Sequence, residues 1–282
     1  MVDRDDERAR WQASAGAWDR WADPIARLAD KLNQPLLDAA GVCSGDRVLD
    51  LACGVGEPAL SAARRAGSDG LVVATDLVPA MLHGAARRAR TETAALATAA
   101  ADMAALPFPE GSFDRVTCRF GVMFVADLQA ALSEVVRVLR PGGRFAAMVW
   151  GPAADNTAFA VATEAAVRVF GPGAVRDMAT PFRFAAAGSL EPWLRAAGFV
   201  EVDAFALTPT GKADAATNFW RPNLEMLLAR LLVEATPGQR AALEAEVARL
   251  YRMRAVNGIV ALNVHARICT AERSGPQPRY RA

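Results

Sequence analysis

Histidine is nearly absent from this chain, whose 282 residues include two, His83 and His265. No Ser/His/Asp set and no catalytic paired-carboxylate arrangement presents itself either, which leaves few signs of acid–base or nucleophilic chemistry. The four cysteines, Cys43, Cys53, Cys118 and Cys269, have neither disulfide-like nor metal-like spacing, and they read as reduced thiols of a cytoplasmic protein with no metal site. A formal net charge of +1 gives no basic face for nucleic acid. No apolar run approaches the ~18 residues of a membrane span. The charged start Met1-Val2-Asp3-Arg4-Asp5-Asp6-Glu7-Arg8 lacks the apolar stretch of a signal peptide. What is plentiful is core: 52% of the residues are hydrophobic, enough for an α/β domain with an insertion.

The most informative stretch is Arg47-Val48-Leu49-Asp50-Leu51-Ala52-Cys53-Gly54-Val55-Gly56-Glu57-Pro58-Ala59-Leu60. Val48, Leu49 and Leu51 form the short apolar run of a strand buried in a parallel sheet. Gly54 and Gly56 let the backbone turn sharply and approach a ligand closely. Pro58 suits the first turn of a helix, and Glu57 complements its positive end. A strand, a glycine turn and a helix in this order form a nucleotide-type pocket.

The spacing Gly54-x-Gly56-x-x-Ala59 also satisfies the dinucleotide fingerprint. Asp76 follows at the end of the apolar run Leu71-Val72-Val73-Ala74-Thr75, where an acid accepts from a ribose diol, a feature of NAD and of S-adenosylmethionine alike. Asp50 separates the two. A carboxylate just before the glycine turn would repel a pyrophosphate but suits a ligand bearing an ammonium and a sulfonium. Asp102-Met103, closing a third run from Leu96 to Ala101, offers a carboxylate for an exocyclic adenine amine and a backbone N–H for a ring nitrogen.

On these residues the chain resembles the class I S-adenosylmethionine-dependent methyltransferases. Asp50 to Gly56 is similar to the family's first motif, Asp76 sits at its ribose acid, and Asp102-Met103 sits at its adenine contacts. Leu106-Pro107-Phe108-Pro109-Glu110-Gly111-Ser112-Phe113-Asp114 resembles the segment before the fourth strand, and Leu139-Arg140-Pro141-Gly142-Gly143-Arg144 the turn into the fifth. The nearest branch holds the ubiquinone and menaquinone C-methyltransferases and related small-molecule enzymes. Glu57-Pro58 departs from the pattern, since many members carry a third glycine there; the expected effect is on loop rigidity. The resemblance implies S-adenosyl-L-methionine as cofactor, held by Asp50, Ala52, Gly54, Gly56, Asp76, Leu77, Asp102, Met103 and Arg119.

The expected fold is a Rossmann-like, doubly wound, mainly parallel seven-stranded sheet with an antiparallel last strand. Strands near 47–51, 71–76, 96–101, 114–120 and 144–150 alternate with helices near 57–67, 78–91 and 128–139. Residues 8–40 read as helical, broken by Pro24 and Pro35, and 1–44 form an N-terminal cap. The core takes 45–213 and 254–273, with strands at 199–207 and 259–270; 214–253 is a helical insertion acting as a lid, and 274–282 a flexible tail.

Methyl transfer from a sulfonium needs alignment and a dry enclosure more than strong acids and bases. The expected acceptor is therefore a small, fairly apolar molecule. His265 is the candidate base if one is needed, while His83 and the pair Arg87-Arg88 read as solvated helix residues. Trp18, Trp21, Phe120, Phe219, Trp220 and Tyr251 are the candidate acceptor contacts. Two other functional classes stay open: an NAD(P)-dependent oxidoreductase, which the glycine spacing permits, and a non-catalytic methyltransferase-like binding module.

Overall fold

The structure is a computed structural model that describes residues 2–92 and 94–275; 276–282 of the expected tail lie outside the described residues. A single helix, α1 (Arg4–Ala40), opens the chain, capped by the Asp3 carboxylate and closed by Gly41 in the left-handed region at φ 68°. Pro24 and Pro35 lie inside it and do not break it. Each removes one hydrogen bond. The carbonyls so freed belong to Arg20 and Lys31, both exposed, where water replaces the missing donor.

Strand and helix then alternate: β1 (Arg47–Leu51), α2 (Ala59–Ala66), β2 (Leu71–Asp76), α3 (Pro79–Thr91), β3 (Leu96–Ala100), β4 (Phe113–Arg119), α4 (Leu128–Val138) and β5 (Leu139–Trp150). Next come α5 (Thr157–Phe170), a 3₁₀ stretch at Pro172–Phe182, α6 (Glu191–Ala196) and β6 (Phe199–Leu207). A short β7 (Thr210–Asp214) leads into α7 (Arg221–Leu227), α8 (Ala229–Glu234) and α9 (Pro237–Arg254), and β8 (Ile259–Asn263) and β9 (Ala266–Arg273) end the fold.

The seven-stranded sheet runs β3-β2-β1-β4-β5-β9-β6. β9 is antiparallel to both neighbours, β5 and β6, so the last strand is the one reversed strand and β6 runs parallel to β5. Alternation along β1 supplies both layers. Leu49 and Leu51 pack with Val116, Phe145 and α4, whereas Val48 packs with Val72, Met148 and the α1 residues Leu36 and Leu37. The chain order reverses direction between β1 and β4, which makes the carboxyl edge of those strands the natural ligand crevice.

One predicted strand is divided. β8 pairs antiparallel with β7 in a separate ribbon, and β9 joins the main sheet. The break falls at Val264-His265, where the Val264 N–H bonds to the carbonyl of Pro209 and the His265 N–H to Oδ1 of Asn156. The ribbon closes the base of the helices α7 to α9. Their first helix starts at Arg221, later than expected, because 215–220 make a turn over Asp214, whose Oδ1 accepts from the Ala216 N–H. Trp220, Leu243, Val247, Leu250 and Tyr251 form a core with Phe159 and Val161 of α5.

Candidate cofactor and acceptor site

The loop from Ala52 to Glu57 leaves the carboxyl end of β1 in a conformation only partly natural to L residues. Ala52 has φ 50°, Gly54 φ 53° and Gly56 φ 107°. A Cβ on Gly56 would meet the Leu60 side chain at 3.1 Å, so the second glycine is needed for both reasons. Asp76, at the end of β2, ties the loop down: Oδ2 accepts from the Gly54 N–H at 2.9 Å and Oδ1 from the Val78 N–H at 2.8 Å. Burial raises its pKa, opposed by those same amides.

Asp50 is completely buried beneath this loop. The β1–β4 register sets it against Thr117, whose hydroxyl donates to Oδ1 at 2.7 Å. Oδ2 has no hydrogen-bond partner among the described residues. Burial pushes the carboxyl up to about 7, against the Thr117 hydrogen bond, the Arg119 charge and the Ala59 amide. A carboxyl that holds its proton more tightly when folded loses stability for the fold as pH rises from the ordinary value, 3.8, towards 7. The expected result is a stability that falls between about pH 4 and pH 7, by up to roughly 4 kcal/mol, followed as melting temperature across that range. Asp50→Asn should flatten that slope; an unchanged slope would place the titration elsewhere.

A cavity of about 510 Å³ lies against this edge. Ala52, Gly54, Asp76, Leu77 and Arg119 line one part of it, and Trp150, Phe159, Met178, Met226 and Leu228 line another. An adjoining pocket is walled by Ala52, Leu77, Asp102, Met103 and Phe124. Asp102 Oδ1 accepts from the Ala104 N–H at 2.9 Å, and Oδ2 pairs with Nε of Arg4 at 2.7 Å, which brings the start of α1 over this end. Of the predicted cofactor residues, Asp50 and Gly56 support the loop from behind and the other seven face one or both spaces.

The candidate acceptor residues divide. Phe120, at φ 58°, stacks on Trp150 with ring centroids 3.8 Å apart and lines the cavity, as does Trp18. Trp21, Phe219, Trp220 and Tyr251 are not among the lining residues. Trp21 Nε1 donates to Glu225 Oε2 at 2.8 Å, clasping α1 to α7. Trp220 is buried in the α5–α9 core, and Phe219 and Tyr251 meet edge to face beside it. These three thus serve packing: the turn before α7 and the inner face of α9 direct them into that core. His265 also lies off the cavity, its Nδ1 at 2.9 Å from Asp155 Oδ2 at the foot of the ribbon.

Arg88 corrects the expectation of a solvated face. It is 2% exposed and donates to Asp23 Oδ1, the Val55 carbonyl and Glu57 Oε1 at 2.8, 3.0 and 2.8 Å. His83 is exposed, as expected. Sequence reasoning also missed Trp150 and the run Met226 to Leu231. Trp150 was findable as the last residue of β5, whereas the approach of α7 and α8 to the cavity has no local signal.

The strand order, the glycine loop and the acids at the ends of β1, β2 and β3 define a Rossmann-like methyltransferase fold. Residues 48–143 match the family described as a methyltransferase domain, and this stretch is a class I S-adenosylmethionine-dependent methyltransferase domain near the quinone C-methyltransferase branch. The demethylmenaquinone methyltransferase of Thermus thermophilus is 45% identical over 107 residues, which are 38% of this chain and 48% of that protein. An uncharacterized protein of Mycobacterium tuberculosis is 40% identical over 129 residues, covering 44% and 46%. The chain thus spans about half the length of the curated relatives it matches. The structure of geranyl diphosphate C-methyltransferase from Streptomyces coelicolor shares the fold at a TM-score of 0.51 and 21% identity, over 88% of this chain and 80% of that one. No described helix is long and apolar enough to cross a membrane, and no cluster of metal-ligating side chains occurs among the described residues.

Proposed function

We propose that this chain transfers a methyl group from S-adenosyl-L-methionine to a small, fairly apolar acceptor, leaving S-adenosylhomocysteine. The observation that carries the reading is a cavity that Asp76, the acid at the end of β2, and the glycine loop share with aromatic and aliphatic side chains, beside a second pocket walled by Asp102. At about 510 Å³ it has the size of a small-molecule site. When bound, the cofactor supplies an electrophilic methyl on a sulfonium, which suits in-line displacement by a nucleophile.

The residues fit that cofactor. Each oxygen of Asp76 already accepts one amide, and a carboxylate has about four acceptor positions, so two remain for a ribose diol. Asp102 and the backbone after it suit the adenine edge. The unpartnered oxygen of buried Asp50 lies under the loop, where a cationic ligand above it would favour the charged carboxylate. Trp150, Phe120 and Phe159 form an aromatic wall beside Arg119 that orients a flat or apolar acceptor and excludes water.

Neither histidine nor tyrosine lines this cavity among the described residues. Cys53 does, but burial raises its thiol well above the ordinary value, so it stays neutral. The carboxylates Glu57, Asp76 and Glu234 do line it, so an acceptor with a proton to lose would give it to one of these or to water. We read α1 and the helical insertion of 214–253 as the lid over the acceptor, and the reduced cysteines as those of a cytoplasmic protein. The test is incubation with methyl-tritiated S-adenosylmethionine and a mixture of small apolar phenols, amines and carboxylic acids. Label should appear in an organic-extractable product together with an equal amount of S-adenosylhomocysteine. Cofactor binding with no transfer to any acceptor class would favour a binding module instead.

A further inference from the structure

Glu57 stands in the loop where the resembled family often has glycine, and its carboxylate does more than stiffen the turn. It lines the cavity with its side chain 11% exposed. Oε1 accepts from Arg88 Nη2 at 2.8 Å, and Oε2 accepts from Asn33 Nδ2. Both donors are themselves fixed. Arg88 is held by Asp23 and the Val55 carbonyl, and Asn33, fully buried, also donates to Ser61 Oγ at 3.1 Å. Two acceptor positions are used, which leaves about two more on the carboxylate.

Arg119 lines the same cavity from the end of β4, the strand next to β1. Its guanidinium makes one long contact, from Nη1 to the Ala29 carbonyl at 3.4 Å. A carboxylate braced from behind and a guanidinium with donors to spare thus border one space. That arrangement complements a zwitterion with an ammonium and a carboxylate on one carbon. An ion pair buried for stability alone is often matched by apolar packing, so its position in the cavity wall calls for a ligand.

We infer that Glu57 accepts the α-ammonium of the cofactor's amino-acid tail opposite Arg119, with Arg88 and Asn33 as its positioning residues. The inference rests on the S-adenosylmethionine reading of the site. It makes the departure from glycine a recognition device.

The test compares two ligands by calorimetry on the full chain: S-adenosylhomocysteine, which carries the tail, and 5′-methylthioadenosine, which keeps the nucleoside and sulfur without it. Glu57→Gln should weaken S-adenosylhomocysteine about tenfold or more while methylthioadenosine changes less than about twofold. The melting temperature should stay within about two degrees of wild type, since the glutamine oxygen still accepts from Arg88. Equal losses for both ligands, or a lower melting temperature with no selective loss, would reduce Glu57 to a loop brace and overturn the inference. Unchanged affinity for S-adenosylhomocysteine would overturn it as well. A wild-type protein that binds neither ligand would instead remove the cofactor reading beneath it.

Discussion

Arg88→Met should lower the melting temperature by about ten degrees, the equivalent of roughly 3–5 kcal/mol. The guanidinium is 2% exposed and ties α3 to two other parts of the molecule: to Asp23 of α1, and to the Val55 carbonyl and Glu57 of the cofactor loop. Methionine fills much of the same volume but leaves the Glu57 carboxylate with Asn33 alone. The cost is therefore an uncompensated charge more than a cavity. Adding Glu57→Leu should recover a large part of the loss, because the pair is then replaced by apolar groups. Thermal denaturation of the wild type and the two variants checks this. A single variant that melts within two or three degrees of wild type, roughly 1 kcal/mol, would show that the network carries little of the fold.

Asp76→Ala should weaken S-adenosylhomocysteine at least tenfold, and up to about a hundredfold, with the sheet intact. Two charge-assisted hydrogen bonds to a ribose contribute on the order of 1.5–3 kcal/mol each at most, and each 1.4 kcal/mol is a factor of ten. The substitution also frees the Gly54 and Val78 amides, which removes the tether that sets the loop. Asp76→Asn keeps one acceptor oxygen and should lie between the two. Calorimetric titration beside a far-ultraviolet circular dichroism spectrum measures both effects. Affinity unchanged in Asp76→Ala would take Asp76 out of the site.

Much of this arrangement is legible in the sequence because it is local. The apolar run into Asp50, the turn through Gly54 and Gly56, and Asp76 at the end of β2 each announce themselves within a few residues. The parallel sheet follows from the alternation of strands with helices. Long-range packing is not legible in this way. Trp21, Phe219, Trp220 and Tyr251 stand in segments that read as helical and apolar, which does not say what they meet; the first clasps Glu225 and the others fill the α5–α9 core. Arg88 looked like one of a pair of surface arginines until Asp23, 65 positions away in sequence, and the Val55 carbonyl came to meet it. Pro24 and Pro35 failed as helix breaks because the carbonyls they orphan face water. His265 drew notice by rarity, and its Asp155 partner holds it at the ribbon instead.

The central claim is that the crevice beyond β1 and β2 receives an S-adenosyl ligand and not a dinucleotide. Parallel calorimetric titrations of the wild-type chain with S-adenosylhomocysteine and with NAD test it most directly. Saturable binding of S-adenosylhomocysteine, one per chain, with no heat from NAD, is the predicted result, since buried Asp50 disfavours a pyrophosphate. Binding of NAD without binding of S-adenosylhomocysteine would contradict it.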